Sequence, residues 1–294
     1  MKTDILYEDG DILVVYKPAG LGVQTAKMGQ QDVVSELKNY LRQNRKQQRH
    51  SQAVEASVPY LGIIHRLDQP VEGLLVFAKN KKAAASLSKQ LQEQGNGGTL
   101  HKQYYAVLCG KPATEEGELV DYLYKNKENM AEVAAGQGVQ GAKRAVLRYQ
   151  VLQVSDIKNL SATEIVEAVG ILAESVGNVG KMRPIESVRN AGNMQSAESA
   201  GNAGGMQLVL ADIHIQTGRF HQIRAQMAHA GTPLLGDLKY GNEETNALSK
   251  KLKMQHVALC AYSLAFLHPV SKKKMRFQIE PRGSAFSFFH MNEF

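Results

Sequence analysis

The sequence predicts an α+β fold: a mixed, mostly antiparallel sheet with flanking helices. Short apolar runs bounded by turn signals recur along the chain, and only three stretches keep helical spacing. Strands and helices do not alternate in the regular order of a βαβ protein.

The opening predicts two short strands, Ile5 to Tyr7 and Ile12 to Tyr16, joined by Glu8-Asp9-Gly10-Asp11 and ended by Lys17-Pro18-Ala19-Gly20. A helix is expected behind Asp32 as N-cap, with Val33, Val34, Leu37 and Leu41 at helical spacing, running out into the polar stretch Arg42 to Gln52. Tyr60 to Ile64 and Gly73 to Ala78 read as buried strands around the polar loop His65 to Glu72. Asn80 caps a second helix with Ala84, Leu87 and Leu91 on one face, stopped by Gly95-Asn96-Gly97-Gly98. Strands are expected from Lys102, near Leu119, from Ala145 to Val154 and over Gln207 to Gln216. After the turn Thr217-Gly218, a helix is expected from Arg219 to Ala230, with Phe220, Ile223, Met227 and Ala230 facing the core and Gly231 closing it. The last strands, Val257 to Leu267 and Met275 to Ile279, flank His268-Pro269-Val270-Ser271.

Between Ser155 and Met206 three near-copies of a nonapeptide begin at Glu174, Glu186 and Glu198. They are too rich in Gly, Asn and Ser to bury a continuous face, so they are expected to form a flexible surface loop. The expected organisation is one domain over residues 1–294 with an insertion at about 155–206, and no separate N-terminal domain.

With 294 residues the chain can bury a full core. Its formal charge of +7 suits a polyanionic partner. Cys109 and Cys260 lie in apolar strands and read as core thiols, so neither zinc nor a disulfide scaffold is suggested. No signal peptide or membrane span is legible, which predicts a cytoplasmic protein.

Two segments carry candidate chemistry. His65-Arg66-Leu67-Asp68 gathers an imidazole, a guanidinium and a carboxylate in one loop between buried strands. Thr217-Gly218-Arg219-Phe220-His221-Gln222-Ile223-Arg224 joins a turn to a helix start, where backbone N–H groups and Arg219 suit a phosphate and Arg224 can reach a carboxylate. His214, His221 and His229 lack the i, i+4 spacing of helical metal ligands.

Asp11 to Leu21, His65 to Asn80, Lys102 to Gly110, Thr217 to Gly241 and Leu264 to Pro269 resemble, in that order, the motifs of RluA-type RNA pseudouridine synthases. The resemblance implies that Asp68 is the catalytic aspartate, Tyr104 the active-site tyrosine and Arg224 the arginine paired with Asp68. It implies that Arg66 enters the RNA stack as the target nucleotide swings out. Arg219, His221, Lys17 and Lys102 are expected to contact RNA, with a structural role equally open for the two lysines. The implied activity is conversion of uridine to pseudouridine in structured ribosomal or transfer RNA, without metal or organic cofactor. No membrane and no obligatory protein partner is implied.

The glycosidic bond must break and the uracil must rotate and rejoin through carbon. Asp68 can act as nucleophile or help remove a sugar proton, and the residues leave both routes open. Tyr104 can stack on the base or assist proton removal from carbon 5. Val71-Glu72 stands where the family usually has Thr-Ser, so local RNA contacts are expected to differ. Two other functions compete: a non-catalytic RNA-binding protein, which has no need of the Asp68, Tyr104 and Arg224 trio, and a glycosidic hydrolase using Asp68 and His65. The second requires another carboxylate, and its candidates, Glu72 and Asp237, belong to no such motif.

Overall fold

The computed structural model describes residues 1–25, 29–48, 58–92, 99–136, 138–156 and 206–291. Eleven strands among the described residues form one sheet. In chain order they are β1 (Asp4–Glu8), β2 (Ile12–Lys17), β3 (Gly62–Ile63), β4 (Glu72–Ala78), β5 (His101–Cys109), β6 (Glu116–Lys125), β7 (Ala131–Val133), β8 (Lys143–Asp156), β9 (Gln207–Ile215), β10 (Leu259–Leu267) and β11 (Lys274–Gln278). The α-helices among the described residues are α1 (Val33–Gln48), α2 (Lys81–Gln92), α3 (Gln222–His229) and α4 (Glu243–Lys251).

The spatial order is β1-β2-β4-β10-β5-β9-β8-β6-β7, with β3 on β4 and β11 on β10. Every pairing is antiparallel except β4 with β10, which meet in parallel over Glu72↔Cys260 and Gly73↔Ala261. The sheet is therefore mixed and mostly antiparallel, as its sequence predicts. Gly73 permits the close parallel approach: it has φ +131°, and a Cβ there would lie 2.5 Å from the backbone N and O of Ala261.

Both faces of the central sheet are covered, which explains why β2 and β4 are apolar and buried along their whole length. Leu13, Val15, Leu75 and Phe77 pack with Leu37, Ile223 and Met227 on one face. Ile12, Val14, Leu74 and Val76 pack with Ala83 and Leu87 on the other. Both cysteines are buried, and burial raises both thiol pKa values, Cys109 to about 12, as expected of core thiols.

The helices show where local signals gave way to tertiary structure. Asp32 does cap α1, its Oδ1 accepting from Ser35 N at 2.7 Å, but the helix continues through the polar stretch to Gln48. Asn80 caps α2 by accepting from Ala83 N at 2.9 Å. Its buried face is Ala83, Leu87 and Gln90, because Gln90 bonds both backbone groups of Leu267. The expected stop at Gly95 to Gly98 lies outside the described residues. The expected strand from Tyr60 shrinks to Gly62–Ile63, whereas β7 and α4 were not foreseen. Asn242 and Thr245 form a reciprocal capping box at the start of α4, followed by Glu243 and Glu244, and Lys250 and Lys251 close the last turn. Those signals were present in the sequence.

The three repeats lie, up to residue 205, outside the described residues. The strands on either side of this segment pair to their ends: Asp156 is the register partner of Gln207, and Gln207 Nε2 donates to Asp156 Oδ1 at 2.8 Å. Two residues therefore suffice to join them, so replacement of residues 157–206 by Asn-Gly is expected to preserve the fold. Loop shortening changes closure free energy by only about 0.6 kcal/mol per halving, in the stabilising direction. Thermal unfolding followed by circular dichroism should stay cooperative with an unlowered midpoint; loss of cooperativity would show that the segment belongs to the core.

Candidate active site

Asp68 sits in the loop between β3 and β4, and that loop is fastened from below. Gly20 N donates to Gln69 O at 2.8 Å, and Gln69 Nε2 donates back to Gly20 O at 3.0 Å. Gly20 has φ +83°, and a Cβ there would lie 2.9 Å from the His256 ring. The Lys17 ammonium donates to the carbonyls of Pro18, Leu21 and Gln69 at 2.9, 2.7 and 3.1 Å. Lys17 is fully buried, so the expectation that it contacts RNA is corrected. It is a buried tie between two loops, and desolvation lowers its pKa to about 7 despite the opposing charges of Asp68 and Glu72.

The opposite wall comes from the turn after β9 and from α3. The helix begins at Gln222 rather than Arg219, because His221 adopts a left-handed backbone with φ 51°. Gln222 Oε1 accepts from Arg219 N at 2.9 Å and from Thr217 Oγ1 at 2.8 Å. Arg219 N is thus occupied, which removes one of the N–H groups that the sequence offers to a phosphate at this turn. Ile223 and Met227 face the core as expected, whereas Phe220 and Ala230 face solvent.

Arg224 carries the central electrostatic arrangement. Its Nε and Nη2 donate to Asp237 Oδ2 and Oδ1 at 2.7 and 2.8 Å, a bidentate pair with Asp237 fully buried. Its remaining Nη1 reaches Asp68 Oδ2 at 3.3 Å. The sequence pairs Arg224 with Asp68; the stronger partner is Asp237, which holds the guanidinium in place for Asp68. Asp237 belongs to the Gly231 to Gly241 block, but its side chain carried no separate signal.

His221 Nε2 lies 3.6 Å from Asp68 Oδ2. The Tyr240 hydroxyl accepts from Ala131 N at 2.6 Å and shares a hydrogen bond with His221 Nδ1 at 2.8 Å, so it orients the imidazole with Nε2 toward the carboxylate. Desolvation, aided by Arg224 and Lys239 and opposed by Asp68 and Asp237, lowers the His221 pKa to about 4, so the ring is neutral at pH 7.

Tyr104 and Lys102 project from the same face of β5, two residues apart. Tyr104 is buried beneath the cleft, and burial together with the Asp68 charge raises its pKa, keeping the phenol neutral. Lys102 is buried at the cleft floor, and desolvation lowers its pKa to about 8. Arg66 and Arg219 are exposed. Asp68, Tyr104, Arg224, Arg66, Arg219, His221 and Lys102 all line one open cleft of about 1480 Å³, and Lys17 does not. Lys125 and Lys239 join that lining, so among the described residues six Lys or Arg side chains and one carboxylate, Asp68, line the cleft. Such a cleft focuses positive potential on an anionic chain.

Neither alternative carboxylate is poised as a second catalytic acid. Glu72 is buried and accepts from Tyr16 Oη at 2.5 Å and from Gly283 N at 2.9 Å, whereas Asp237 is committed to Arg224.

Residues 11–229 match the family described as RNA pseudouridylate synthase. The chain is 29% identical over 285 residues to the ribosomal large subunit pseudouridine synthase D of Zymomonas mobilis, covering 94% of this chain and 68% of that protein. It is 28% identical over 273 residues to the dual-specificity RNA pseudouridine synthase RluA of Vibrio parahaemolyticus, covering 92% of this chain and 79% of that protein. It shares its fold with human RNA pseudouridylate synthase domain containing 1, with a TM-score of 0.60 and 18% identity over 95% of this chain and 83% of that one.

Proposed function

The chain belongs to the RNA pseudouridylate synthase family, in its RluA-type branch, and on that premise we propose that the cleft around Asp68 converts uridine to pseudouridine in structured RNA. The observation that carries this reading is one carboxylate, on the family's His-Arg-Leu-Asp loop, held by a buried arginine at the centre of a cation-lined cleft.

The residues divide the work as their environments dictate. Asp68 is the group that acts on the nucleotide, either at the sugar carbon or on a sugar proton. Arg224 Nη1 and His221 Nε2 both face its Oδ2, at 3.3 and 3.6 Å, which fixes its orientation. Tyr104, kept as a neutral phenol, supports the uracil from below while the base detaches and turns. The target must leave its stack to enter, at a cost of a few kcal/mol, and exposed Arg66 beside Asp68 is placed to fill the gap. Lys102 and Arg219 meet the RNA backbone, and the single catalytic domain needs no cofactor for this reaction. Ribosomal and transfer RNA are the proposed substrate classes, and the cytoplasm is the proposed compartment. Among the described residues no helix is long and apolar enough to cross a membrane.

The reading is tested by incubating the protein with unmodified ribosomal and transfer RNA tritiated at uracil carbon 5. Tritium release from one of them is expected, and release from neither would overturn it. Binding should be largely electrostatic. The logarithm of affinity should fall linearly with the logarithm of salt, and Arg66→Ala and Arg219→Ala should each make the slope shallower by about 1. Affinity independent of salt would contradict the assignment of the cleft to RNA.

A further inference from the structure

Beside Asp68 the cleft presents one large apolar side chain to solvent. Phe220 is 42% exposed although its spacing in the sequence predicts a core position. The left-handed turn at His221 delays the helix and leaves Phe220 on the cleft wall. Its ring is not loose there. It lies flat on the imidazole of His221, with centroids 3.7 Å apart and planes 21° apart. His221 is itself locked edge-on against Tyr240 at 5.6 Å and 84°. The other face of Phe220 is covered by the end of an exposed lysine, with Lys125 Nζ 5.1 Å from the ring centroid.

A rigidly backed aromatic ring in a cation-lined cleft fits a nucleobase better than an apolar peptide, because Lys125 lies over the ring and Arg66, Arg219 and Lys239 line the same cleft. We propose that Phe220, backed by His221, is a stacking platform for a nucleobase next to the target uridine, and that Lys125 leaves the ring for a backbone phosphate when that base arrives. This rests on the assignment of the cleft to RNA. Within this stack it is His221 whose Nε2 faces Asp68, at 3.6 Å, with Phe220 laid on the imidazole, which suits Phe220 to a neighbour of the target nucleotide rather than to the target itself. The exchange favours the bound state: an exposed cation–π contact is weaker than a base–aromatic stack, and the displaced ammonium gains a phosphate. The platform would therefore help select which uridine is modified, through the nucleotide beside it.

The chain contains no tryptophan, so Phe220→Trp introduces a single indole at the platform. Its emission should be quenched on titration with oligouridylate and should not change with an abasic oligonucleotide of the same length and charge. Equal responses to the two, or none while anisotropy of a labelled oligonucleotide reports binding, would overturn the platform. Phe220→Leu should lower kcat/KM on unmodified cellular RNA about tenfold, mainly through KM, and Phe220→Tyr should restore it. An unchanged kcat/KM in Phe220→Leu would also overturn it. Quenching by oligouridylate from a protein that forms no pseudouridine would instead support the platform and remove the catalytic assignment.

Discussion

Asp68→Asn is expected to abolish detectable pseudouridine formation, with a rate loss on the order of a thousandfold or more, equivalent to about 4 kcal/mol in the barrier. Asparagine fills nearly the same volume and can still accept from Arg224 Nη1, but it is a far poorer nucleophile or base than a carboxylate. The loop should not shift, because Gln69, Gly20 and Lys17 hold it through groups that the substitution leaves untouched. RNA affinity should persist or rise, since the change removes a negative charge from a cleft lined, among the described residues, by six cations. Tritium release and a binding titration on the same preparation separate the outcomes. Normal turnover would remove Asp68 from the mechanism, and joint loss of binding and fold would make it a structural residue.

Asp237→Ala is expected to destabilise the protein by about 3–5 kcal/mol, because it leaves a buried guanidinium without its bidentate partner. The only carboxylate left within reach of Arg224 among the described residues is Asp68, at 3.3 Å. Arg224 should then shift toward Asp68 and disturb its orientation, so activity should fall even at temperatures where the variant is folded. Asp237→Asn should lose less stability, since the amide keeps one acceptor for the guanidinium. Urea denaturation followed by circular dichroism measures both variants. A stability loss below about 1 kcal/mol in Asp237→Ala would show that the pair is not what holds Arg224.

Much of this site was legible because its parts are local. The loop from His65 to Asp68 and the turn from Thr217 to Arg224 are short segments whose residue types announce chemistry, and β2, β4 and β10 are apolar runs that admit few other readings. What escaped depends on contacts distant in sequence. Lysine is seldom fully buried, and Lys17 becomes so only because two loops place three carbonyls around its ammonium. The start of α3 moved by three residues because His221 takes a left-handed backbone, in a turn where the Gln222 side chain also holds Arg219 N, and neither is visible to periodicity. Asp237 reads as one more polar residue in a loop until the fold sets it against Arg224. By contrast, α4 was missed although Asn242 and Thr245 announce its cap.

The position of β10 bears on how the molecule assembles on the ribosome. This strand is made after more than 250 residues have left the peptidyl-transferase centre, yet it occupies the middle of the sheet, between β4 and β5. Until it emerges, β1, β2 and β4 form one fragment and β5, β9, β8 and β6 another, each with an unpaired edge where β10 will dock. Asp68 belongs to the first fragment and Tyr104 and Arg224 to the second, so a nascent chain stalled before Leu259 holds every catalytic side chain without an assembled site. Closing that gap brings together strands nearly two hundred residues apart, a slow step of high contact order during which both edges are open to aggregation.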